Sequence, residues 1–181
     1  MDVVPDTIRL ARRSVLIEQQ YIRSGEDKII DLLDALKEAM GSKSDFDIRI
    51  ILGKIFSRKD LEKERKNLEN RQHTYGLKLV RNIRYIDTSR FVHCHNKMVL
   101  IDGKGVLVSS QNWSRSAVWQ NREAGVLLEH AGICDYFTQI FESDWSTALK
   151  QLPGVEPETV APETLRSGKF IRVEPGDYRE V

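Results

Sequence analysis

Cysteine is scarce in this chain: Cys94 and Cys134 are the only two among 181 residues. Two thiols cannot build the disulfide framework of a small secreted scaffold, and they favour a reducing compartment. No apolar run nears the roughly 18 residues that cross a bilayer as a helix. Residues 1–6 lack a basic start followed by an apolar stretch, so no secretory leader is expected. These absences together predict a cytoplasmic protein or one held peripherally at a membrane. Charge of one sign is missing too: 28 Lys and Arg face 27 Asp and Glu, a net +1. No global field then draws in nucleic acid or anionic lipid, and any attraction for phosphate must be local. Proline is sparse except at one end. Four of the five prolines fall between Pro153 and Pro175. That shift divides the chain into one domain, residues 1–150, and a Pro-rich surface tail, residues 151–181. Residues 170–173 (FIRV) could add a short edge strand.

What is present alternates between two periods. Asp6 can cap a short helix over 7–13, and 14–22 reads as a strand. Residues 24–27 (SGED) form a capping-box pattern. An amphipathic helix follows, carrying Ile29, Ile30, Leu32, Leu33, Leu36 and Met40 on one side. Residues 46–52 form a strand closed by Gly53. Residues 58–75 make a very charged helix whose apolar stripe is only Leu61, Leu68 and Tyr75. Mixed charges at helical spacing indicate a solvated face, or alternatively the wall of a groove. Residues 84–87 are a short strand candidate. Residues 92–101 and 106–108 read as strands joined by the turn Asp102-Gly-Lys-Gly105. A third strand runs over 124–128, and a helix over 133–149. Strands alternating with helices predict an α/β domain with a mixed β-sheet.

The segment 93–102, HCHNKMVLID, holds the chemistry. Along a strand, His95 and Lys97 share one face. An imidazole there can attack phosphorus, and the neighbouring cation can hold a phosphate oxygen. Asp102 has the opposite parity, so it should turn away and act through the turn or a neighbouring segment. The hairpin would bring Ser110 and Asn112 of the segment SSQNWS back beside His95. Glu123, in NREAG, precedes the next strand.

The spacing His95-x-Lys97-x4-Asp102, followed by Asn112 and Glu123, resembles the phospholipase D superfamily of phosphodiesterases. The resemblance implies an α-β-α sandwich and a catalytic set of His95, Lys97, Asp102, Asn112 and Glu123. His95 would form a phosphohistidine. Glu123 would accept a hydrogen bond from the other ring nitrogen of His95 and fix its tautomer. Lys97 and Asn112, with Ser110, would bind the substrate phosphate, since ammonium, amide and hydroxyl are all donors suited to an oxyanion. Ser109 stands where the family usually has glycine, which puts the local turn geometry in question. Residues 17–22 (IEQQYI) resemble the start of the second half of two-motif members, and this gives Gln20 and Tyr21 a place at the cleft. Cys94 falls on the opposite strand face and reads as a small buried hydrophobe. His93 and His95 together could also begin a metal site, with Asp87 and Glu123 as further ligands. The resemblance, however, implies neither metal nor cofactor, and then His93 either supports the residues around His95 or lines the groove.

The chain has one such motif; His73 and His130 lack the following lysine. Family chemistry uses two, facing each other, one His attacking and one protonating the leaving group. The expected partner is therefore a second half-site. It would come from the N-terminal half of a longer chain, the arrangement favoured by residues 17–22, or from an identical mate. Three functions follow. The first is a phospholipase D-like hydrolase or phosphatidyl transferase acting on a phospholipid or other phosphodiester. The second is a homodimeric endonuclease. The third is a half-domain inactive without its N-terminal partner.

Overall fold

The computed structural model describes residues 3–154, apart from 24, 42, 44, 54, 56 and 92. The elements in chain order are α1 (Val3–Leu10), β1 (Ser14–Gln19), α2 (Asp27–Gly41), β2 (Asp47–Leu52), α3 (Arg58–Tyr75), β3 (Ile83–Tyr85), β4 (Met98–Ile101), β5 (Gly105–Ser109), α4 (Arg115–Trp119), β6 (Gly125–Leu128) and α5 (Ala131–Thr147). Six strands form one sheet in the order β3-β2-β1-β4-β5-β6. The first three run parallel, and each of the others is antiparallel to its neighbour.

Burial explains why β1 and β2 hold the middle of the sheet. Both are rich in Val, Ile and Leu and nearly continuously buried, as strands covered on both faces require. Val15 and Ile17 of β1 join Ile8 of α1, the α2 residues Ile29, Leu32, Leu33 and Leu36, and Leu68 of α3 in one core. Leu16 joins Cys94, Met98 and Leu100 against Cys134, Phe141 and Trp145 of α5 in the other. The result is the expected α-β-α sandwich with a mixed sheet.

Several expectations need correction. Asp6 does not cap α1. It sits within a helix that starts at Val3 and ends at Leu10, and Arg9 bridges it to Asp31 and Glu38. The strand expected over 92–101 is paired only over Met98–Ile101, so His95 and Lys97 precede the regular ladder. Helix α3 covers the expected span, capped by Ser57 and closed by Gly76 in the left-handed conformation. Its charges are not all solvated, because Arg71 is fully buried. The Arg71 guanidinium donates to the Ile22 carbonyl and to Glu64, which also accepts from Tyr85 Oη. Ser24 of the capping-box pattern and the strand over 170–173 lie outside the described residues.

Candidate active site

The β4–β5 hairpin assembles the site. Asp102 and Gly103 both have positive φ, 56° and 65°, and the Lys104 N–H donates to the Ile101 carbonyl at 2.9 Å. With Ile101 paired to Gly105, residues 102–104 form a three-residue hairpin loop, and its left-handed positions carry Asp and Gly, which adopt positive φ most readily. The register places Val108 opposite Met98, and the Ser109 N–H donates to the Lys97 carbonyl. One strand further, Ser109 faces Gly125, and the Ser110 N–H donates to the Ala124 carbonyl. Residues distant in sequence, Lys97, Ser110 and Glu123, thereby meet at one end of the hairpin.

The swap of glycine for Ser109 is compensated across the strands. A Cβ on Gly125 would lie 3.1 Å from Ser109 Cβ and Oγ. The small residue needed for close approach thus stands on β6 instead of β5. Ser109 Oγ donates to the Ala124 carbonyl and accepts from the Gln111 N–H, which fixes the turn after β5.

Lys97 is buried and lines a recess of about 360 Å³ together with Gln19, Ser109, Gln111 and Glu123. Val99, Leu107, Trp113 and Leu127 give that recess apolar walls. The ammonium donates to the His95 carbonyl at 2.6 Å. Burial lowers the Lys97 pKa, while Cys94 and Glu123 pull it back up. Glu123 accepts from Ser110 Oγ and from Asn121 Nδ2, and these donors hold its carboxyl below the ordinary range. His95 is exposed, and its ring meets that of His93 edge-on at 5.5 Å. Partial desolvation, then the charges of Lys97 and His93, lower its pKa below the ordinary 6.5. The imidazole is therefore neutral at pH 7, the state that can attack an electrophile.

Other expected residues take different places. The Asp102 carboxylate accepts N–H donors from Arg12, Arg13 and Ser14, at 2.7 to 3.0 Å, and so ties the hairpin turn to the entry of β1. Asn112 lies between Gln111 and Trp113 of the recess wall, and its buried Oδ1 has no partner among the described residues. Gln20 and Tyr21 line a separate recess of about 130 Å³, with Gly53, Asp60, Lys63 and Glu64. Among the described residues no hydrogen bond joins Glu123 to His95, and no group of three His, Cys, Asp or Glu is placed to hold a metal. Gln19 is the residue that the sequence reading missed. It is buried beside Lys97, with Oε1 unpartnered among the described residues. Its signal was the period-two alternation with Val15 and Ile17, whose partner Val99 lies two residues from Lys97.

Comparison with known proteins shows the family and the fold. Residues 4–145 match the family model described as cardiolipin synthase, PLD-like domain. Mitochondrial cardiolipin hydrolase of Danio rerio is 32% identical over 62 residues, which is 34% of this chain and 27% of that protein. Among solved structures, NucT from Helicobacter pylori superposes with a TM-score of 0.64 at 16% identity, covering 82% of this chain and 88% of that one. Nuc from Salmonella typhimurium, a phospholipase D family member, gives 0.59 at 19% identity, covering 81% and 87%. Phosphatidylserine synthase of Haemophilus influenzae gives 0.62 at 14% identity, covering 78% of this chain but 34% of that one. From motif, sheet and family match together, the chain belongs to the phospholipase D superfamily, in its cardiolipin synthase-like branch of domains.

Proposed function

We propose that the chain is a lipid phosphodiesterase or phosphatidyl transferase that works through a phosphohistidine, each copy supplying one half-site. The observation that carries this reading is Lys97. A buried cation lines an apolar-walled recess beside the Glu123 carboxylate, next in sequence but one to an exposed neutral imidazole. His95 attacks phosphorus, and the bond to the leaving alcohol's oxygen breaks. Lys97, Ser110 and Asn112 supply donors for the non-bridging oxygens, whose charge grows in the transition state. His95 of the second half-site protonates the leaving alkoxide. Water or an alcohol then attacks phosphorus, breaks the P–N bond and frees the imidazole. The apolar walls formed by Val99, Leu107, Trp113 and Leu127 favour a substrate with a hydrocarbon part over a polynucleotide.

An identical mate is the favoured source of the second half-site. A half-domain of this kind makes up most of the NucT and Nuc chains, which favours self-pairing over the longer two-motif chain expected from residues 17–22. Asp102 serves as a brace for the hairpin, not as a group touching substrate.

The test is rapid quenching into alkaline denaturant during turnover of a short-chain phosphatidyl ester labelled at phosphorus. Wild type is expected to yield a base-stable, acid-labile phosphohistidine. His95→Asn is expected to yield none and to turn over about 10³-fold slower or worse. Equal trapping in the variant would remove His95 as nucleophile. Turnover of single-stranded DNA but not of the lipid would move the reading to a nuclease.

A further inference from the structure

The side chain of Glu18 is wholly buried in β1, the central strand of the sheet, between Ile51 of β2 and Met98 of β4. Alternation along β1 turns it to the α5 side, behind the segment that carries His95 and Lys97. One carboxyl oxygen accepts from Asn96 Nδ2 at 2.5 Å. The other, Oε1, is buried without a partner among the described residues. Asn96 is the residue between His95 and Lys97. That segment lies outside the regular ladder, so the Asn96 side chain is one of few ties between it and the core. Beside it, the Lys97 carbonyl accepts from the Ser109 N–H and Cys94 packs into the core on the α5 side, whereas the Lys97 ammonium bonds back within the segment to the His95 carbonyl.

We infer that Glu18 is a positioning residue, which through Asn96 sets where His95 and Lys97 stand and shifts them when it gains or loses its proton.

The surroundings fit a group that titrates. Burial pushes the Glu18 carboxyl up to about 7, with Asn96 pulling it down and Asp144 of α5 adding to the rise. Cys94, from the same segment as Asn96, faces it as a neutral thiol that burial pushes up to about 12. Arg90 offsets the charge on Asp144. Arg49 of β2 is taken by Asp47 and Glu142 and lies over Phe141 and Trp145, and Arg84 of β3 also lies over Trp145. Among the described residues no cation pairs with Glu18 directly. As a carboxylate, Glu18 makes a charge-assisted bond to Asn96; as an acid, it makes a neutral bond of roughly half that strength. The tie therefore tightens as the pH rises through neutrality.

The catalytic consequence rests on the phosphodiesterase reading above, whereas the tie itself does not. Histidine-ring NMR on the full chain, from about pH 5 to about pH 9, separates the two. The His95 signals, assigned by their loss in His95→Asn, should show two inflections: their own and a second near neutrality. Glu18→Gln, which keeps the shape and an acceptor, should lose the second inflection. So should Asn96→Ala, which cuts the tie from the exposed side and so spares the core should Glu18→Gln fail to fold. Turnover of the phosphatidyl ester by Asn96→Ala should show kcat about tenfold lower at unchanged KM, with no neutral step in its pH profile. Retention of both His95 inflections in the variants would overturn the proposal and leave Glu18 a buried structural carboxyl. A lost inflection in a chain that traps no phosphohistidine would support the tie while defeating the phosphodiesterase reading.

Discussion

Two carboxyl groups behave oppositely because their donors differ. Burial raises the Asp102 carboxyl, but the N–H groups of Arg12, Ser14 and Arg13 outweigh it and pull the pKa below the ordinary value. Its stabilisation is therefore present at neutral pH and lost as acid protonates it. Asp102→Ala should cost about 2–3 kcal/mol in urea unfolding at pH 7, with a smaller difference at about pH 3. An equal cost at both would mean that the carboxylate bonds do not carry the effect. Glu18 has the opposite sign. Its carboxyl is raised from 4.5 to about 7, so the folded chain binds the extra proton between those values and stability falls as pH rises through that window. Glu18→Gln should then be more stable than wild type by on the order of 2–3 kcal/mol above neutrality and nearly equal to it at about pH 4, as thermal melts would show. A variant less stable at high pH would contradict the assignment. Of these two residues only Asp102 was legible in the sequence, through its parity against Lys97 and its place in a turn. Nothing in the run IEQQYI marks Glu18 as wholly buried, because burial of a charged residue depends on what the other strands and α5 bring to it.

The elements themselves were largely legible from period. Strand β1 and helices α2, α3 and α5 carry clear alternation or apolar stripes, and they fall within a few residues of expectation. The exceptions have physical causes. Residues 93–97 look like strand by composition, yet the hairpin register starts pairing at Met98, because the carbonyl of Lys97 is the last point that β5 reaches. Arg71 looked solvated, yet α3 packs where the Ile22 carbonyl and Glu64 can receive its guanidinium. Gly53 is a close-approach position at the end of β2. A Cβ there would lie 2.8 Å from the Gln20 carbonyl oxygen and 3.2 Å from that of Cys94. Backbone cannot swing away as a side-chain tip can. Gly53→Ala should therefore lower stability by about 1–3 kcal/mol and disturb the His95 segment through Cys94. Chemical denaturation with the His95 ring signals as a second probe would check both. An unchanged melt would mean that the strand ends are slack.

At the scale of the molecule, the proposed reading gives one motif half of a reaction. The sequence made that legible by counting: a single His-x-Lys pair, and no second one. It could not show where the other half comes from, because pairing surfaces are set by shape across two chains. The structure adds an exposed edge at β6, with Val126 and Leu127 partly open beside the Lys97 recess. Among the described residues no hydrogen bond joins Glu123 to His95, the bond that the resemblance implies. We propose that an identical mate supplies the second half-site. The measurement that bears on this most directly is active-enzyme sedimentation, which reports the mass of the species that turns over bis-p-nitrophenyl phosphate. The account predicts that activity moves with a particle of twice the chain's mass. Activity moving with the single chain would contradict it.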